Sequence, residues 1–221
     1  AAPEGFGLHK ARLLRHNAPM PNPVTVAAPD QFAPGVVRGS ITLLCGCMFS
    51  GKTTELLERL AGCPARSRGV FKHVIDRRYR LDAVVSHNGD FIAATRVSRA
   101  TEILDYVGDP VTTVAVDEGH FFDSALPAVL DTLTSSGINV VVTALDLDSW
   151  GRPFPAIQQL MAVADKSFTK RAVCARCGEV ANRTQRLTPI VDGDLIGRPD
   201  CYEPRCRACW RPPGERPMET A

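Results

Sequence analysis

The sequence contains no apolar run of about eighteen residues or more, the length that a membrane-crossing helix needs. Its first residues show no basic segment followed by an apolar core and a small-residue cleavage site, which predicts an unexported, cytoplasmic protein. An excess of one charge is missing too. With 26 Lys and Arg against 24 Asp and Glu, the formal net charge is +2, far from the concentrated basic surface of a nucleic-acid binder. No unit recurs at the spacing of a repeat protein, so a solenoid is excluded.

What is present is an ordinary globular composition. A chain of 221 residues, 44% hydrophobic and 23% charged, has room for one sizeable core plus a small appendage. Six prolines crowd residues 1–39, where sustained apolar periodicity is lacking, so that stretch is expected to be a flexible extension, as are residues 212–221. Order is expected to begin near Ser40, where Ile41-Thr42-Leu43-Leu44-Cys45 reads as a buried strand ending in Gly46. Residues 53–60 read as a helix. The Val- and Ile-rich runs at 69–75, 112–116 and 139–144 read as further buried strands. Leu126, Val129, Leu130 and Leu133 form a helical stripe stopped at Gly137, and Ile157, Leu160, Met161 and Ala164 form another. Strands alternating with helices predict an α/β fold whose mostly parallel sheet is flanked by helices.

Residues 46–53, Gly-Cys-Met-Phe-Ser-Gly-Lys-Thr, meet the GxxxxGK[ST] pattern between an apolar strand and a helix, the context that gives that pattern its meaning. Glycines at 46 and 51 let backbone N–H groups turn toward phosphate oxygens, and the helix N-terminus adds its positive dipole end. Gly46, Cys47, Met48, Phe49, Ser50, Gly51, Lys52, Thr53 and Thr54 are therefore the expected nucleotide-binding residues. Lys52 would neutralise the outer phosphates and Thr53 would ligate Mg²⁺. A second carboxylate at the end of a neighbouring strand is needed, and Thr-Thr-Val-Ala-Val-Asp-Glu supplies Asp117 for the metal. Glu118, one residue on, faces elsewhere and could take a proton from an attacking hydroxyl or water. On spacing alone, a capping carboxylate with a solvated neighbour is the alternative for this pair.

Four of the eight cysteines form two CxxC pairs, Cys174/Cys177 and Cys206/Cys209, with 28 residues between them. Brought together they offer the closed thiolate set of structural Zn²⁺. Redox pairs or unligated thiols are the alternative. Cys45, Cys47, Cys63 and Cys201 fall outside that spacing and read as small hydrophobes or incidental thiols.

Taken together, GCMFSGKTTEL, VFKHVIDRRY, SHNG, VDEGHFF, ALDLD, AVCARCGEVANRTQRL and YEPRCRAC resemble, in order, the motifs of the cellular-type thymidine kinases over residues 40–210. The resemblance implies ATP-dependent phosphorylation of the 5′-hydroxyl of a deoxynucleoside, most readily thymidine, in nucleotide salvage for DNA synthesis. It implies that Glu118 is the general base, Asp117 the metal-side acid, and Asp76 and Arg78 phosphate-site residues. It implies that residues 40–170 form the kinase domain and 171–211 a zinc-held lasso closing over the nucleoside. In that lasso Tyr202 faces the sugar and Thr184 the base. Met48, Phe121, Leu145 and Ile196 correspond to substrate-pocket positions. A homotetramer and inhibition by thymidine triphosphate are also implied by resemblance.

Some residues depart from the family's pattern. His120 stands where a Gln is usual, Ser149-Trp150 replace an aromatic-then-basic pair, and Arg198 and Cys201 replace a glycine and a lysine. These exceptions cluster around acceptor recognition and leave two alternatives open: a nucleoside kinase with a shifted acceptor preference, and a non-catalytic nucleotide or nucleoside sensor.

Overall fold

The computed structural model describes residues 37–76, 80–86, 88–189 and 199–214. Residues 1–36 lie outside that set, as do Arg78, Ile196 and Arg198. The chain enters the sheet through β1 (Ile41–Gly46), turns through the glycine-rich loop and forms helix α1 (Lys52–Ala61). Next come β2 (Arg68–His73), the short hairpin of β3 (Ala83–Val85) and β4 (Phe91–Ala93), and β5 (Thr95–Val97). After a 3-10 segment at Ala100–Tyr106 follow β6 (Thr113–Asp117), α2 (Leu126–Ser135), β7 (Asn139–Ala144), α3 (Pro155–Val163) and β8 (Lys166–Lys170). The C-terminal part holds β9 (Ala172–Val173) with β10 (Val180–Ala181), and β11 (Arg183–Arg186) with β12 (Tyr202–Arg205), two small antiparallel pairs.

The main sheet runs β5-β2-β6-β7-β1-β8, and every neighbouring pair is parallel. Both faces are covered, which is why its central strands read as unbroken apolar runs. One face packs Leu43, Val116 and Val142 against Leu126, Leu130, Ile157 and Leu160 from α2 and α3. The other packs Val70 and Ala115 against Leu56 and Leu60 of α1. Burying each of those leucines contributes about 1.5–3 kcal/mol. Helix α1 ends at Ala61 because Gly62, Cys63 and Pro64 follow, as the sequence indicates.

Met161, assigned to the apolar stripe of α3, is instead 43% exposed. The helix spans nine residues, and Ala156, Ile157 and Leu160 already fill its buried face. Since all six strands point one way, the ends of β1, β2, β6 and β7 share one edge of the sheet. In open α/β sheets that edge is where ligands bind.

Candidate functional site

Gly46 closes β1 at φ 137°, and a Cβ there would lie 2.2 Å from the carbonyl oxygen of Lys170 on β8. Only glycine lets the chain leave the strand so close to its neighbour. The loop that follows is tied to itself: Ser50 Oγ donates to the Cys47 carbonyl at 2.8 Å, and Lys52 Nζ donates to the same oxygen at 2.8 Å. Lys52 is only 6% exposed. Burial pulls its ammonium below the usual lysine range, with Glu118, Cys47, Asp117 and Asp146 acting in the opposite direction. A cation held there with so little solvation is a strong attractor for phosphate oxygens. Phe49, at φ 62°, and Gly51 line a cleft of about 390 Å³ beside the loop, together with Thr54, Glu55, Glu58, Asn88 and Lys170.

Asp117 at the end of β6 is buried, and Thr53 Oγ1 donates to its Oδ1 at 3.4 Å. The same carboxylate oxygen accepts a 2.5 Å hydrogen bond from Thr143 Oγ1 on β7. Thr143 in turn accepts the backbone N–H of Glu118 at 3.1 Å. Glu118 sits in the left-handed region, φ 52° and ψ 48°, a conformation costing about 1–3 kcal/mol for a residue with a Cβ. Two restraints hold it there: the Thr143 hydroxyl, and a turn in which Phe121 N–H donates to the Glu118 carbonyl at 3.0 Å. The turn lies against β7 because Gly119 has no side chain; a Cβ would stand 2.7 Å from Val142 Cγ1. Thr53 and Asp117 thus meet directly, and Glu118 joins them through its backbone N–H and the Thr143 hydroxyl. Thr143 was not foreseen, since a β-branched residue in a Val-rich run reads simply as a strand former.

His120 is buried, with its ring 4.2 Å from that of Phe121 and 4.9 Å from that of Phe154. Its Nδ1 accepts the Leu145 backbone N–H at 3.1 Å and lies 3.3 Å from Glu118 Oε2. Glu118, Phe121 and Leu145, all expected at the acceptor pocket, therefore meet around one imidazole. Ser149 is buried, and Trp150 Nε1 donates to the Gly214 carbonyl at 2.9 Å. Asp76 is buried and lies 3.3 Å from Lys72 Nζ through its Oδ2, an internal ion pair.

Strands β10 and β11 of the C-terminal part reach the glycine-rich loop directly. Thr184 Oγ1 accepts the Met48 backbone N–H at 3.1 Å, and Cys47 Sγ donates to the Ala181 carbonyl at 3.7 Å. Tyr202, also buried, accepts a 2.9 Å hydrogen bond at its hydroxyl from Arg186 Nη1, across the β11/β12 pair. Arg186 is a further residue the motifs did not single out.

Behind the hairpin, the sulfurs of Cys174, Cys177, Cys206 and Cys209 all lie within 4.8 Å of one another. A tetrahedral Zn²⁺ with bonds of about 2.3 Å sets its sulfurs about 3.8 Å apart, and Cys177 and Cys206 stand at 3.6 Å. The donor set fits that ion. Hydrogen bonds to Cys177 and Cys206 push the Cys209 thiol up to about 12, so a metal has a proton to displace. Cys45 and Cys47 are buried within the main sheet and the loop after β1, and Cys201 stands outside the cluster, in a short turn at Pro199–Cys201.

Among the described residues no helix is long and apolar enough to cross a membrane. The model of the thymidine kinase family matches residues 39–210. A thymidine kinase of Rhodothermus sp. (strain ITI 518) is 44% identical over 185 residues, which are 83% of this chain and 85% of that protein.

Proposed function

The chain belongs to the thymidine kinase family, and on that premise we propose that it transfers the γ-phosphate of ATP to the 5′-hydroxyl of thymidine, giving thymidine monophosphate in nucleotide salvage. The observation that carries this reading is the Thr53–Asp117–Thr143–Glu118 chain of contacts at the sheet edge. It sets the Thr53 hydroxyl against an Asp117 carboxylate oxygen beside the glycine-rich loop, a pair that would suit a metal ion, with Glu118 one residue further on.

Phosphoryl transfer asks for in-line positioning and charge stabilisation more than for covalent chemistry. The backbone of residues 46–51 and the start of α1 would cradle the β- and γ-phosphates, with Lys52 neutralising them. Thr53 and Asp117 are hard oxygen donors suited to Mg²⁺, which when bound spreads the charge of the transferring phosphoryl group. Glu118 would take the proton of the 5′-hydroxyl as its oxygen attacks phosphorus.

Met48, Phe121 and Leu145 would wall the nucleoside, Thr184 would lie on the base side and Tyr202 on the sugar side. Excluding water there prevents simple hydrolysis of ATP. Residues 40–170 are then the transfer domain, and residues 171–211 the lid pinned by Zn²⁺ on Cys174, Cys177, Cys206 and Cys209. Roles for Arg78 and Ile196, a homotetrameric assembly, inhibition by thymidine triphosphate and a cytoplasmic location are supported by family membership.

The test is transfer of labelled γ-phosphate to thymidine, deoxyuridine, deoxycytidine, the purine deoxynucleosides and uridine. Thymidine leading supports the reading. The approach of His120 to both Glu118 and Leu145 favours one second reading, a shifted acceptor preference, and another nucleoside leading would support it. No transfer to any acceptor, with ATP bound, would leave a sensor.

A further inference from the structure

Lys72 is a buried charge that the reaction above does not use. It lies in β2 opposite Asp117 of β6 on one side and Arg96 of β5 on the other, and it is 1% exposed. An ammonium in such a place costs several kcal/mol unless it is both paired and hydrogen-bonded. Here it is both. Nζ lies 3.3 Å from Asp76 Oδ2 and donates to the carbonyls of Arg80 at 3.1 Å and Ala83 at 3.3 Å. Those partners stand at the start and at the end of the connection from β2 to β3. Arg96 adds a further tie, donating from Nη2 to the Val74 carbonyl at 2.8 Å.

Adjacent positions in a parallel sheet project to the same face. Lys72 and Asp117 therefore share the face covered by α1, the helix that begins at the phosphate loop. A matched apolar pair could fill this space with equal or greater stability, so an ion pair here serves geometry better than it serves stability.

We propose that Lys72 is a positioning residue of the phosphate site: together with Asp76, as one unit, it fixes the exit of β2 and the return into β3 beside the metal-side carboxylate Asp117. The proposal rests on the reading of residues 46–53 as the ATP site. It assigns Lys72 no contact with substrate. Its effect reaches the donor side through Asp76 and the anchored backbone.

The test compares Lys72→Met, Asp76→Asn and the double variant, each checked for zinc content and melting temperature. Steady-state constants are measured with ATP·Mg²⁺ and thymidine varied separately, and the affinity for a fluorescent ATP analogue is measured without acceptor. Each single variant should lose about 10- to 100-fold in kcat/KM for ATP·Mg²⁺, while KM for thymidine stays within about twofold. The double variant should be no worse than the worse single.

A folded Lys72→Met protein with wild-type donor constants overturns the proposal, as do losses that multiply in the double variant. Should Lys72→Met fail to fold, Lys72→Met/Asp76→Leu replaces the pair by apolar groups of similar size. Wild-type use of ATP by that folded protein is equally fatal. Wild-type protein that neither binds nor uses ATP sinks the donor-site reading itself, whereas analogue affinity unchanged by the variants sinks only the role of Lys72.

Discussion

Met48 in the phosphate loop donates its backbone N–H to the side-chain oxygen of Thr184, 3.1 Å away and 136 residues later in the chain. The bond joins the loop that would hold the donor to the hairpin that would cover the acceptor. Movement of one is therefore felt by the other, a useful property where water has to be excluded before transfer.

Thr184→Val keeps the shape of the side chain and removes its oxygen. The half-buried Met48 N–H then loses its acceptor, at a cost of about 1 kcal/mol. KM for the nucleoside should rise about 5- to 10-fold while KM for ATP moves less. Steady-state kinetics with each substrate varied in turn check this; equal changes in both constants would speak against a role on the acceptor side.

The cysteine cluster lies at the base of the same hairpin, with Cys206 immediately after β12. Cys206→Ser should release the metal and weaken nucleoside binding while ATP binding persists. Metal analysis and titration calorimetry with each ligand measure both effects. Returning Zn²⁺ to the stripped wild-type protein should release protons, because Cys209 holds its proton at neutral pH. Affinity should accordingly rise with pH.

Thr143 gives its hydrogen to Asp117 and takes the N–H of Glu118. Thr143→Val breaks both at once and leaves the strained Glu118 backbone with one restraint fewer. Stability should fall by about 1–3 kcal/mol, visible by denaturant unfolding. A drop in kcat of about tenfold or more should accompany it, with KM for thymidine little changed.

Much of this arrangement is legible in the sequence, for a physical reason. The strand at Asn139–Ala144 carries the run Val140-Val141-Val142 because it is a central strand covered on both faces, and the loop at 46–53 must have glycine where it turns beside Lys170. Strand β8, Lys-Ser-Phe-Thr-Lys, escapes notice because among the described residues it is an edge strand, paired with β1 alone and largely exposed, so burial leaves no mark on its composition. Residues whose value lies in a tertiary partner are equally silent. Lys72 looks like any solvated lysine until Asp76 folds back onto it, and Arg186 until Tyr202 arrives from the other strand. His120 stands out as a departure from the family, but its approach to both Glu118 and Leu145 is a fact of three dimensions.

The central claim is that Glu118 removes the proton of the acceptor hydroxyl, and the most direct measurement is phosphate transfer from ATP to thymidine by Glu118→Gln beside the wild type. The substitution keeps the bulk and removes the base. The account predicts a loss in kcat of about 10²- to 10⁴-fold, with ATP binding and zinc content unchanged. A folded, zinc-loaded Glu118→Gln protein that turns over at the wild-type rate would contradict it.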